Sequence, residues 1–128
     1  FNFNLHIASP KNILRQKQYI LDKYKSNKIK FFDNPHDAVD KADCVMSDIW
    51  ISMGKNNSNK KISSFNGFQI DDSLMAKTKN EALFMHCLPA HRNVEVTDSV
   101  LDGKKSIVWQ QAKNRMFVQQ SILNFCIT

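Results

Sequence analysis

Residues 84–92 read FMHCLPAHR, an apolar run that ends abruptly in two histidines, a cysteine, a proline and an arginine. Three chemistries use such residue types. His86, Cys87 and His91 are zinc-ligand types; a cysteine beside an imidazole is a nucleophile with its base; and a strand end broken by proline presents backbone and thiol to a small molecule. Successive strand residues point to opposite faces, so His86 and Cys87 do not readily share one ion, and His86 is turned away from serving Cys87 as a base. The chain carries no C-x-x-C pair and no H-E-x-x-H stretch to complete a metal site. His91 could approach Cys87 across the proline turn, but no glycine elbow or second activating group accompanies it. A thiol that simply closes a strand is the plainest alternative.

The presenting turn suits these residues best. An X-Pro bond in a tight turn is where a cis peptide can be kept, so Leu88-Pro89 breaks the strand and exposes the Leu88 carbonyl and the Cys87 thiol. Both accept a hydrogen bond from an amine. A second stretch, SDIWISMG (47–54), holds Asp48 at a strand end, where a carboxylate can meet an ammonium group or cap a turn. Trp50, Ser52, Met53 and Gly54 follow closely, which suits a pocket wall with a closing loop. Fifteen lysines and three arginines make Arg92 and Arg115 stand out, because a guanidinium grips carboxylate or phosphate with two bonds. On an exposed helix the same residue is a surface charge. His6 and His36 have no such company.

These residues need elements to hold them. FNLHIA (3–8) reads as a strand, stopped by Ser9-Pro10. From Lys11 to Lys25 apolar residues recur at helical spacing. IKFF (29–32) is the next strand; Asp33 or Asn34 can cap a helix whose first turn holds Pro35. DCVMS (43–47) is a strand, and 49–67 a polar loop whose end Phe65, Phe68 and Ile70 would pin to the core. DDSLMAKT (71–78) reads as a short capped helix, ALFMH (82–86) as a strand and EVTDSVLDG (95–103) as a brief helix stopped by Gly103. SIVW (106–109) reads as the last strand, and from Gln111 onward Ala112, Met116, Phe117, Ile122 and Leu123 form one apolar face of a final helix. Strands alternating with helices predict an α/β fold, a parallel sheet with helices on both faces, Rossmann-like. In such sheets ligands bind beyond the carboxyl ends of the strands, and Ser9-Pro10, 47–54 and 86–92 all fall there.

Composition narrows the classes. The 128 residues suffice for one domain with its own core, and 42% hydrophobic with 23% charged residues is ordinary for a globular protein. No apolar run approaches membrane-spanning length. Three widely spaced cysteines are no disulfide framework and fit a reducing compartment. The net charge of +6 is spread from Lys11 to Lys113 among acidic residues and without stacking aromatics, so neither nucleic acid nor membrane is an expected partner. A chain opening FNFNLHIASP, with no initiator methionine, reads as a piece of something longer.

SDIWISMG, FMHCLPAHR, VTDSVLDG and AKNR together resemble the C-terminal half of ornithine carbamoyltransferases, and the likeness runs from NFNLHIASP through NRMFVQQSIL. The resemblance implies that 1–128 is a partial ornithine-binding domain lacking its first strand, with the carbamoyl-phosphate domain absent from this chain. It implies a parent enzyme, a homotrimer or higher multiple in the cytoplasm or the mitochondrial matrix. That enzyme carries the carbamoyl group of carbamoyl phosphate to the δ-amino group of L-ornithine, giving citrulline and phosphate without metal or organic cofactor. Asp48 resembles the carboxylate holding ornithine's α-amino group, Ser52 and Met53 the loop residues closing over it, and Cys87 and Leu88 the pair orienting the δ-amine. Arg115 resembles the arginine reaching carbamoyl phosphate; Cys87, Arg115 and Asp48 would be the catalytic set.

The chain departs from the family pattern in three places. Asn93 stands where glycine is usual, Lys113 where the family is acidic, and KNNSNKK follows the Ser-Met-Gly loop. Asparagine tolerates left-handed backbone, so the turn at Asn93 is expected to survive. No Ser-Thr-Arg-Thr-Arg or His-Pro-x-Gln motif is present, so this segment alone is expected to be inactive. The alternative is a non-catalytic relative that keeps the domain as an amino-acid-binding or assembly module, favoured by the QQAKNR change at Lys113 and by the altered loop. A nicotinamide-binding domain is set aside, because the G-x-G-x-x-G turn is missing.

Overall fold

The computed structural model describes residues 2–11, 17–24, 26–51 and 62–127. Strand β1 (Leu5–Ala8) pairs in parallel with β2 (Ile29–Phe32), Leu5 opposite Ile29 and Ala8 opposite Phe32. Strand β3 (Cys44–Ser47) pairs in parallel with β4 (Leu83–His86), Cys44 opposite Leu83 and Ser47 opposite His86. Parallel partners need a crossover: helix α1 (Lys17–Tyr24) lies on the β1–β2 connection and α3 (Asp72–Met75) on the β3–β4 connection, while α2 (Pro35–Ala38) links β2 to β3. Helices α4 (Asp98–Leu101) and α5 (Val108–Ile127) complete the α/β order.

Period-two alternation gives the β3–β4 pair its two faces. Val45 and Phe84 point into the core, while Cys44, Met46 and Leu83 on the other face are exposed. Helices α3 and α4 each lay two apolar residues on the core, Leu74 with Met75 and Val100 with Leu101. Local chemistry sets where these short helices start. Asn34 Oδ1 accepts the His36 N–H at 3.0 Å ahead of α2, with Pro35 opening the helix. Asp71 Oδ1 accepts the Leu74 N–H and the Ser73 hydroxyl, each at 2.8 Å, ahead of α3. Gly103 follows α4 where no side chain fits, since a Cβ there would lie 2.4 Å from the Ser99 carbonyl oxygen. Ser99 Oγ donates to Asp72 Oδ2 at 2.6 Å, tying α4 to α3.

Two expectations change. Residues 106–109 are not a strand: Ser106 makes a single bridge to Phe84, and α5 begins at Val108. The Phe84 N–H donates to the Lys105 carbonyl and the Ile107 N–H to the Phe84 carbonyl, after which Gln111 N–H to Ile107 O opens the helix. The β-branched pair Ile107-Val108 suggested a strand, but the core accepts Val108, fully buried, from a first helical turn equally well. The final helix also lacks the expected buried face. Only Val108 is buried, and Met116, Phe117, Ile122 and Leu123 stay exposed. From Met116 to Ile127 the helix has no charged residue, a composition usual where more protein surrounds it. Of the helix expected over 11–25, residues 12–16 and 25 lie outside the described residues.

Phe65 and Ile70 anchor the end of the long polar segment as expected, with Phe65 stacked on Trp50 at 4.8 Å and Phe68 edge-on to Phe65. No helix among the described residues is long and apolar enough to cross a membrane.

Candidate functional site

Because Ser47 and His86 are register partners, the residues that follow them leave the sheet side by side. Those residues are Asp48 and Cys87. The Cys87 thiol donates to Asp48 Oδ1 at 3.0 Å, and the same oxygen accepts the Ile49 N–H at 2.7 Å. The hydrogen bond to Asp48 raises the Cys87 pKa above its ordinary value; partial burial and the Asp48 charge add to the rise, and Arg115 opposes it. The thiol is therefore protonated at neutral pH, which suits an orienting group better than a thiolate nucleophile.

The next peptide, Leu88-Pro89, is cis, and Leu88 itself sits at φ +52. Left-handed backbone at a bulky residue costs on the order of 1–3 kcal/mol and gathers at functional sites. The Leu88 N–H donates to His86 Nδ1 at 2.9 Å, which leaves the Leu88 side of the turn held from beneath.

Helix α5 forms the facing wall. Arg115, Ala112, Met116 and Leu123 line a cleft of about 420 Å³ together with Cys87 and Leu88. That volume suits an amino-acid-sized ligand, and Arg115 is a cation on its rim. The structure therefore brings Asp48, Cys87, Leu88 and Arg115 to one place. Ser52 and Met53 lie outside the described residues. Trp50 does not line the cleft: it is buried against Phe65, so it anchors the chain before the loop. Arg92 faces away, holding Asp98 at 2.6 Å and Asp102 at 2.5 Å and so binding the turn to α4. Asn93 adopts the left-handed backbone expected of it (φ +59), and its Nδ2 donates to Asp98 Oδ2 at 3.0 Å.

Beneath the turn lie His86, weighed above as a ligand or base, and Glu95, which the sequence did not single out. His86 is fully buried, its backbone N–H donates to Gln111 Oε1 at 3.1 Å, and burial lowers the imidazole pKa against the opposing pull of Glu95. Glu95 is fully buried as well. The signal available for Glu95 was a lone acid between two valines, Val94 and Val96. Among the described residues, no three His, Cys, Asp or Glu side chains gather in a way that would hold a metal ion.

The family described as aspartate/ornithine carbamoyltransferase, Asp/Orn binding domain, matches residues 1–126. A curated ornithine carbamoyltransferase of Mesorhizobium japonicum is 43% identical over 128 residues, covering 99% of this chain and 42% of the relative. The crystal structure of the anabolic ornithine carbamoyltransferase of Campylobacter jejuni superposes with a TM-score of 0.83 at 34% identity, covering 96% of this chain and 43% of that one. The ornithine carbamoyltransferase of Pyrococcus furiosus gives a TM-score of 0.83 at 33% identity, over 94% of this chain and 41% of its own. The chain thus spans about two fifths of the length of the relatives it matches.

Proposed function

The chain belongs to the aspartate/ornithine carbamoyltransferase family through its Asp/Orn binding domain, and we propose that it forms the amino-acid side of a carbamoyl-transfer site for L-ornithine. The observation that carries this reading is the meeting of Asp48 and Cys87, 3.0 Å apart, on adjacent strand ends beside a cleft rimmed by Arg115. The Asp48 carboxylate takes the α-ammonium of ornithine. The Cys87 sulfur and the Leu88 carbonyl take the δ-amino group, and Ser52 and Met53 close over the substrate. Arg115 reaches towards carbamoyl phosphate, which is held largely by a further domain outside this chain.

The chemistry follows from the charges. A δ-ammonium has a lysine-like pKa of about 10.4 and must lose its proton before it can attack. Exclusion of water and the nearby Arg115 guanidinium both favour the neutral amine. The amine nitrogen then forms a bond to the carbamoyl carbon, the carbon–oxygen bond to phosphate breaks, and citrulline and phosphate leave. Holding the amine against the carbonyl supplies much of the rate, and Arg115 stabilises the charge on the departing phosphate. Cys87 orients the amine through its sulfur and forms no covalent intermediate; the proton that the nitrogen sheds passes to the departing phosphate, which leaves as hydrogen phosphate. The same reading includes a homotrimer or higher multiple in the cytoplasm, no cofactor, and no activity from residues 1–128 alone.

The test uses the polypeptide completed to the length of its relatives. Supplied with carbamoyl phosphate and L-ornithine it should yield citrulline, and with L-aspartate it should not. No citrulline from the intact protein, or a preference for aspartate, would overturn the proposal.

A further inference from the structure

His86 and Glu95 are both fully buried, yet neither touches the cleft. His86 Nδ1 accepts the Leu88 N–H at 2.9 Å, so that nitrogen carries no proton and the neutral ring bears its hydrogen on Nε2. Nε2 faces Glu95 Oε1 at 3.5 Å, a contact longer than a hydrogen bond but electrostatically matched. The same Oε1 accepts the His91 N–H, and Oε2 lies 3.8 Å from His91 Nδ1. One buried carboxylate therefore meets the imidazole at the start of the 86–91 turn and the backbone at its end. Between those two anchors lie Cys87, Leu88 and the left-handed backbone at Leu88.

We propose that Glu95 is a positioning residue: through the His86 ring and the His91 N–H it holds both ends of the turn, and so sets where the Cys87 thiol and the Leu88 carbonyl stand in the cleft. The inference rests on the carbamoyl-transfer reading for its consequence, though not for its geometry. A buried carboxylate is costly to keep, and a salt partner does not repay it here, because burial favours the neutral imidazole. What the carboxylate does supply is orientation. It selects the Nε2–H tautomer, which leaves Nδ1 free of a proton and able to accept from Leu88. The opposite tautomer would set one N–H against another at Leu88 and push the turn out of place.

The decisive variant is Glu95→Gln, which keeps shape and removes charge, made in the polypeptide of full family length. Nitrogen-15 NMR of the imidazoles should show His86 as neutral Nε2–H in the unaltered protein and as a tautomer mixture in the variant. The variant should bind norvaline, which has the α end of ornithine without the δ-amine, within about twofold of the unaltered protein. Its kcat/KM for ornithine should fall ~10–100-fold, since small misplacements of a positioned group cost that much. A merely structural role would move thermal stability and norvaline binding together. If Gln fails to fold, Glu95→Asp, which keeps the charge but shortens the reach, gives the same readouts. An unchanged His86 tautomer, or an ornithine kcat/KM unchanged beside an altered tautomer, overturns the proposal. Absence of citrulline from the unaltered protein would sink the functional reading, while the tautomer measurement still decides the role of Glu95.

Discussion

Replacing Asp48 by asparagine separates the two ends of the proposed substrate. The change is isosteric and removes one negative charge from a carboxylate that already accepts the Cys87 thiol at 3.0 Å and the Ile49 N–H at 2.7 Å. Both bonds can persist with an amide oxygen, so the turn should keep its shape. What is lost is attraction to an ammonium group. At about 4 Å that attraction is worth ~1 kcal/mol in water and ~4 kcal/mol at an effective dielectric of 20. Asp48 is exposed beside the cleft, which pulls the value towards the lower figure, and hydrogen bonds to charged groups contribute about 1.5–3 kcal/mol. A loss near 2 kcal/mol, or roughly 30-fold in affinity, is expected. Isothermal calorimetry on the full-family-length polypeptide, with L-ornithine and with norvaline, measures it. Because the two ligands share the α-ammonium, both should weaken by the same factor. If ornithine weakens while norvaline does not, Asp48 serves the δ end and the assignment of the two ends is reversed; if neither weakens, Asp48 holds no ammonium at all.

Three further outcomes are expected. Asp48→Asn should speed alkylation of Cys87 by iodoacetamide at pH 8, followed by mass mapping against Cys44 and Cys126, because a neutral amide is a weaker partner for the thiol's hydrogen bond and brings no negative charge, and both the bond and the charge raise the Cys87 pKa. An unchanged rate would mean the thiol is not governed by that hydrogen bond. Phe84→Ala should cost about 3–5 kcal/mol in urea unfolding, since the ring is fully buried between the sheet and helices α3 and α4. Asp71→Ala should cost about 1 kcal/mol at neutral pH through loss of the cap on α3. The backbone bond from Leu74 is the main cause that lowers the Asp71 pKa in the folded chain. A lowered folded pKa adds stability above the unfolded value and loses it as pH falls through the folded one, so the gap between the two proteins should close in acid. A gap that persists at pH 2 would show that the cap acts without its charge.

Much of this was readable along the chain, for identifiable reasons. Strands IKFF and DCVMS, the Asn34 and Asp71 caps and the Gly103 stop are local effects, governed by residues within a few positions of one another. The left-handed turn at Asn93 was legible only against the family pattern, where glycine is usual at that position. The candidate site was legible from the chain itself, because parallel sheets place the ends of neighbouring strands together and SDIWISMG and HCLPAHR occupy two such ends. Propensity alone misled at Ile107-Val108, where a core position decides whether a β-branched residue belongs to a strand or to a first helical turn.

The residue types and their order thus determined the α/β architecture, the family, and the acid, thiol and guanidinium that could handle a diamino acid. Only the tertiary structure decided that Trp50 packs inward, that Arg92 serves helix α4, and that a buried Glu95 underlies the presenting turn. The physical reason is range. Caps and alternation act over a few residues, whereas the direction in which a buried polar side chain points depends on which groups the packed chain sets within about 3–4 Å of it, and spacing along the sequence carries no record of that.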